Sequence, residues 1–321
     1  MIFEFAPMEG ATTYTYRQIH QNFFPGIDRY YSPFVTPNHA HHFTQKEFRD
    51  VLPEHNEGIP LIPQLLTNNA SDFIWGAGEL KRMGYDEVNL NLGCPSGTVV
   101  AKHRGAGFLE NPDALDCFVR DVFAALPDIR VSVKTRVGLA SEEEWDLLLE
   151  VYRRWPISRL IIHPRIRSDF YKGTPRKETF KQAVDGSPFA ISYNGDIFRV
   201  ADFEALTTEF PDLEAVMCGR GLLANPALVR QLRGGAPLDK RELQEFMDTL
   251  LSKNCELISG DRNIIFRMLD IWRNMDGIFT NDEKYLKKIR KSRVLSDYRA
   301  AVSALLREQE IAENCGFRPM R

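Results

Sequence analysis

The 321-residue sequence predicts a parallel (β/α)8 TIM barrel followed by a small all-helical C-terminal domain. Three observations predict it. Eight short apolar or β-branched runs recur, roughly 25–45 residues apart, with helical stretches between them, as strand-helix repeats of such a barrel require. Glycine-bearing tripeptides stand just after the seventh and eighth runs, Asn194-Gly-Asp196 and Gly219-Arg-Gly221, where barrels of this kind often form an anion site. Beyond Arg233-Gly-Gly-Ala-Pro237 no strand-like run occurs. A doubly wound open sheet is the main alternative. The count of eight and the placement of the two tripeptides favour the barrel.

The first strand begins at once, over Ile2–Ala6. The others are read at Arg29–Ser32, Leu61–Leu65, Glu87–Leu92, Val131–Arg136, Arg159–His163, Phe189–Asn194 and Ala215–Cys218. Between them, Ser71–Met83 opens on a capping serine and ends before Gly84. Ser141-Glu-Glu-Glu144 is a capping-box pattern ahead of Trp145–Trp155. Phe203, Leu206 and Phe210 give Val200–Phe210 a helical spacing. Past the glycine pair, Lys240–Ser259, Asn263–Met275, Glu283–Lys291 and Ser296–Glu310 read as amphipathic helices. The expected domains are therefore 1–238 and 239–321.

Composition is that of an ordinary soluble globular protein. No apolar stretch approaches the ~20 residues of a membrane span. The N-terminus lacks the basic start and long apolar region of a secretory signal. Five cysteines without a Cys-x-x-Cys pair suggest neither a disulfide framework nor a zinc site, so a reducing cytoplasm is the expected setting. The net charge of −3 does not announce nucleic-acid binding. Its distribution says more. Residues 1–238 carry 25 Lys+Arg against 30 Asp+Glu, and residues 239–321 carry 16 against 14. Within 262–307 the count is 11 against 5, a net of +6. A basic segment is the footprint that phosphate binding needs, although a solvated helix face would look the same.

Chemistry-bearing residues gather at strand ends. Asn91-Leu-Gly-Cys-Pro95 sets Cys94 just beyond the fourth strand, on a turn that Gly93 permits and Pro95 stiffens. A lone cysteine is more often a small buried hydrophobe, but in a barrel this end of a strand is where catalytic groups sit. Lys134-Thr-Arg136 closes the fifth strand, His163-Pro-Arg165 the sixth, and Gln64 the third, so a lysine, a histidine and an amide converge on one mouth. Asn194, Gly195, Asp196, Gly219 and Arg220 suit a phosphate, the glycines by close backbone approach and the arginine by a charge-assisted hydrogen bond. His39-Ala-His-His42 lacks matching carboxylate or cysteine spacing and reads as a polar loop, so no metal is expected. Cys117, Cys218 and Cys255 sit in apolar patterns that suit the core.

Taken in order, these pieces resemble the tRNA-dihydrouridine synthase family: Ala6-Pro-Met-Glu-Gly10, Gln64, Asn91-Leu-Gly-Cys-Pro95, Lys134-Thr-Arg136, His163-Pro-Arg165, Asp169-Phe-Tyr-Lys-Gly173, Asn194-Gly-Asp196 and Gly219-Arg-Gly221. Each motif is moderately specific, whereas the ordered set is highly specific. The resemblance implies FMN in the barrel mouth, NADPH as reductant, tRNA as substrate, and a helical domain that helps to grip it. By position it implies that Pro7 and Met8 pack by the flavin, that Gln64 and Lys134 bind its ring, and that His163 contacts it. Asn194, Gly195, Gly219 and Arg220 would surround its phosphate, with Asp196 shaping that turn of the cofactor site. Asn91 and Arg136 would face the substrate base, and Cys94 would be the catalytic acid. The basic run Lys284, Lys287, Lys288, Arg290, Lys291 and Arg293 would contact RNA. No membrane association is expected, and no obligate protein partner is evident. The loop Ser96–Phe108 leaves the subfamily open.

The chemistry is consistent with those roles. Saturating the C5=C6 bond of uracil requires a hydride at C6 and a proton at C5, and a thiol is a competent general acid. The base must leave its stack to reach a barrel mouth, which costs roughly a few kcal/mol. Two other readings stand beside this one. An FMN barrel acting on a free pyrimidine, in the manner of dihydroorotate dehydrogenase, would share the barrel and the Asn-x-x-Cys-Pro run, but not the basic helical extension. An RNA-binding scaffold without activity would have no use for Cys94 and Lys134.

Overall fold

The computed structural model describes residues 1–318. The chain divides into two compact units that are not contiguous in sequence. The first comprises 1–7, 29–196 and 212–217, and the second 8–28, 197–211 and 218–321. Among the described residues no helix is long and apolar enough to cross a membrane.

The first unit carries a nearly closed barrel of parallel strands: β1 (Ile2–Phe5), β2 (Arg29–Tyr31), β3 (Leu61–Ile62), β4 (Gln64–Leu65), β5 (Glu87–Leu92), β6 (Arg130–Arg136), β7 (Arg159–His163), β8 (Ala190–Tyr193) and β9 (Ala215–Cys218). Their order is β3-β2-β1-β9-β8-β7-β6-β5-β4. The two edge strands are halves of the run expected as a single strand, Leu61–Leu65. Pro63 divides them because it has no N–H to give a ladder. Its carbonyl still accepts from the Asn89 amide at 2.9 Å. Val35 bridges to Leu65 and helps to close the ring at this point.

Alternate residues stack inside the barrel as layers that climb the strands. Lowest is a polar layer, in which the buried Glu4 carboxylate accepts from Tyr31 at 3.2 Å and Ser192, and lies 3.5 Å from Arg159. Two residues further along come Ala6, Ile62, Ile161 and Met217, which pack with Tyr31 as one buried cluster. Two further again come the polar groups of the mouth. Strand periodicity alone carries the inward face from Ile161 to His163.

Around the strands lie amphipathic helices. Ala70–Arg82 is capped by Asn69, which accepts from the Asp72 amide at 3.0 Å, so Ser71 sits inside the first turn instead of capping it. Pro112–Ala125 starts on Asn111 with proline at its first position, which suits an N-terminus. Its buried stripe is Leu115, Phe118, Val119 and Val122. Cys117 falls off that stripe and is exposed, which corrects its expected core position. Cys255 is half-buried, and Cys218 is buried as expected. The Ser141–Glu144 capping box forms as its pattern predicts.

In the second unit, helix Tyr14–Phe23 packs against Lys240–Leu257 through an aromatic cluster. The Phe246 ring lies 5.7 Å from Tyr16 and 5.3 Å from Phe24, with His20 fully buried beside them. Helices Asp261–Trp272, Glu283–Lys291 and Leu295–Glu308 follow in the same unit, near the expected bounds. The Trp272 indole donates to Tyr298 at 2.7 Å.

Candidate active site

The turn after β5 is held by side chains from three strands. Asn91 Oδ1 accepts from the amides of Gly93 and Cys94, at 3.0 and 2.9 Å, and so folds the backbone around the cysteine. Asn91 Nδ2 donates to Gln64 Oε1 at 2.7 Å. Gln64 Nε2 donates to Asn89 Oδ1 at 2.7 Å, and Asn89 Nδ2 to Ser132 Oγ at 3.0 Å. A chain of amides thus crosses from β4 through β5 to β6. Each amide nitrogen carries two N–H groups, so Gln64 and Asn91 each retain a donor beyond these bonds.

Cys94 is half-buried. Its carbonyl accepts from the Ala106 amide at 3.1 Å. Gly105, at φ +56°, passes so close that a Cβ there would stand 3.0 Å from the Cys94 Cβ and 3.0 Å from its carbonyl oxygen. Arg136 donates to three carbonyls: Gly93 at 2.9 Å, Ile166 at 2.9 Å and Phe170 at 2.8 Å. Its guanidinium also lies 5.5 Å from the centre of the Tyr171 ring. Arg136 thereby clamps the cysteine turn to the loop after β7.

Lys134 is the register partner of Asn91 on the neighbouring strand. Protein crowds its amine, although some of its surface stays accessible. Burial, reinforced by the nearby Arg136 charge, lowers its pKa to about 7. Among the described residues no ion pair engages the Lys134 amine, and a desolvated amine at a strand end fits a ligand on which negative charge develops.

His163 is buried, and Arg165 donates to its Nε2 at 3.0 Å, which makes that nitrogen an acceptor and leaves the ring proton on Nδ1. Arg165 is fully buried and forms a two-point ion pair with Asp196, one bond at 2.9 Å. It also donates to the carbonyls of Lys172 and Gly173. Asp196, expected to shape a turn, is thus the counter-ion that orients the histidine's partner. Asn194 donates to the Met217 carbonyl at 2.8 Å, tying β8 to β9. Gly195 is glycine for packing, because a Cβ would fall 2.2 Å from the Tyr193 hydroxyl. Pro7 follows β1 and is half-buried.

Arg165, Asn89 and Ser132 escaped the sequence reading as site residues. A signal existed. Asn89 and Ser132 precede Asn91 and Lys134 by two positions, the spacing that points successive polar side chains to one face of a strand.

His39 lies 3.2 Å from Asp72, and the His41 ring stacks on Trp75 at 5.2 Å. In the second unit, the Met8 amide donates to Thr12 at 2.9 Å. Gly219 precedes the short helix Arg220–Ala224, and the Arg220 guanidinium lies over the adjacent rings of Phe198 and Phe317, at 5.2 and 4.8 Å from their centres. Lys284, Lys287, Lys288, Arg290, Lys291 and Arg293 are all exposed, because Tyr285, Leu286 and Ile289 take the buried face of their helix.

A parallel barrel that concentrates a cysteine, a lysine and a histidine at the C-terminal ends of its strands defines a TIM-barrel enzyme. Morphinone reductase has a similar fold, with a TM-score of 0.52 at 15% identity over 74% of this chain and 87% of its own. The chain belongs to the dihydrouridine synthase (Dus) family, whose model matches residues 4–318. Among its relatives, the tRNA-dihydrouridine(16) synthase of Neisseria meningitidis serogroup A is 27% identical over 75% of this chain and 74% of the relative. The tRNA-dihydrouridine(20/20a) synthase of Vibrio parahaemolyticus is 29% identical over 71% of this chain and 74% of the relative.

Proposed function

We propose that the protein reduces the C5=C6 bond of a uridine in tRNA to give 5,6-dihydrouridine, with FMN as its resident cofactor and NADPH as reductant, in the cytoplasm. The observation that carries the assignment is the amide chain from Gln64 through Asn91 to the backbone of Cys94. It links a residue assigned to the flavin ring with the turn that presents the proton donor.

The donor set fits a flavin. Gln64 and Asn91 have N–H groups to spare, and Lys134 offers a desolvated cation. Reduced flavin, when bound, supplies the hydride that uracil C6 accepts. The Cys94 thiol gives its proton to C5. Asn91 and Arg136 hold the backbone that carries the thiol, and Arg165 with Asp196 fixes the ring of His163. Loops leaving β8 and β9 carry the residues assigned to the phosphate, Asn194, Gly195 and Asp196 after one, Gly219 and Arg220 after the other. Pro7 and Met8 are assigned to packing against the flavin. Residues 239–321 supply the RNA grip, with Lys284, Lys287, Lys288, Arg290, Lys291 and Arg293 meeting phosphates. Relatives named for two different tRNA positions match at nearly equal identity, so the target uridine is left open.

The deciding experiment combines purified protein, FMN, NADPH and tRNA lacking dihydrouridine, with the product mapped by position. Cys94→Ala should keep bound flavin and lose turnover by about 10²–10⁴-fold, the usual worth of a positioned acid. A variant at full speed would remove the thiol from the mechanism. No product from wild-type protein with reducible flavin would point to a small-molecule dehydrogenase.

A further inference from the structure

Helix Asp261–Trp272 buries Ile264, Ile265, Met268, Leu269, Ile271 and Trp272, yet leaves Phe266 58% exposed. A large aromatic side chain in water gives up most of its burial energy, so its surroundings are informative. Phe266 lines a cleft of about 480 Å³. The helix contributes Arg262 to the cleft and its C-cap contributes Arg273, and the end of Glu283–Lys291 with the following turn contributes Arg290, Ser292 and Arg293. The Leu295 amide donates to Asp261 at 2.8 Å and ties the two walls together.

The charge of the cleft has one sign. Arg273 is paired with Asp270 at 2.8 Å and lies 5.4 Å from the centre of the Phe266 ring. No ion pair engages Arg262, Arg290 or Arg293 among the described residues. Three uncompensated guanidinium groups beside an aromatic ring that stays more than half exposed match a phosphate beside a base, and the cleft volume is within the range of small-ligand sites. An apolar peptide would leave the arginines unanswered, and an acidic peptide would not use the ring.

We propose that this cleft binds one unpaired nucleotide of the RNA substrate. The base stacks on Phe266, and its phosphates are met by Arg262, Arg290 and Arg293. The inference rests on the tRNA reading above and adds a second, non-catalytic nucleotide contact to it. The contact positions the RNA; it does not touch the reacting base.

The test is binding of an unmodified tRNA transcript over a range of KCl concentrations, with circular dichroism and melting temperature as folding controls. Phe266→Ala should raise Kd about tenfold, within the range for loss of one base–aromatic stack, and leave the salt slope unchanged. Arg290→Gln should reduce the slope of log Kd against log[KCl] by about one. Phe266→Trp should restore affinity, and its added fluorescence should be quenched when tRNA binds. Unchanged affinity and slope in folded Phe266→Ala and Arg290→Gln, with wild-type protein still forming dihydrouridine, would overturn the cleft alone. So would a Phe266→Ala protein that loses a protein partner but not tRNA. A wild-type protein that neither binds nor modifies tRNA would overturn the tRNA reading and this one with it.

Discussion

At the scale of the residue, Lys134 has the most consequential environment. In water a lysine stays protonated to about pH 10.4. Here burial pulls its pKa to about 7. An anion bound beside it favours the charged form and pulls the value back up. Flavin binding between pH 8 and 9 should therefore take up close to one proton. Calorimetric titration in buffers of different ionisation enthalpy measures that uptake, and Lys134→Met should abolish it. The same uptake in the variant would place the titration elsewhere. Arg136 and Arg165 make a related point. Both are buried cations held by several carbonyls each, and Arg165 by Asp196 as well. Their planar, multi-donor guanidinium suits that work, and a lysine would leave acceptors unmet.

At the scale of the element, the turn that carries Cys94 depends on a segment about ten residues further along. Gly105 adopts φ +56° and lies against Cys94, and a Cβ there would also meet Val99 at 3.0 Å. Gly105→Ala should destabilise the fold by about 1–2 kcal/mol, from backbone strain and from displacement of the turn. Denaturant unfolding measures the first effect. The second should lower turnover more than flavin affinity, because the Gln64 and Lys134 strands are not displaced. Wild-type stability and turnover in the variant would show that the segment yields at no cost. That Gly105 would serve Cys94 was not legible beforehand. The sequence marks a glycine-rich loop, but not which backbone it approaches.

At the scale of the whole molecule, the second unit carries a pH-dependent weakness. His20 is fully buried in the aromatic cluster, and burial lowers its pKa from 6.5 to about 3. The unfolded chain therefore binds a proton below pH 6.5 that the folded chain refuses until about pH 3. Stability is full above pH 6.5 and falls as the pH drops through that window, by up to about 1.4 kcal/mol per pH unit. His20→Leu should flatten the acid limb of the stability curve. A limb of unchanged slope would assign the lost protons to other groups.

Much of this molecule was settled by sequence alone. The eight strand segments, the C-terminal helices and the order of the strand-end motifs were legible, because period, caps and turn residues act locally and a parallel barrel sends each strand's C-terminal end to one mouth. Pro63 splitting a strand and Cys117 falling off its helix stripe mark the edges of that legibility. The partners of the polar groups were decided only by tertiary structure. Asn91 meets Gln64 across 27 residues of chain, Arg165 meets Asp196 across 31, and Arg136 finds carbonyls 30 and 34 residues beyond it. A buried polar group must find a partner, but which one depends on the register and packing of segments remote in sequence. The same holds for Phe266, whose helical spacing cannot say which face of its helix is left open to solvent.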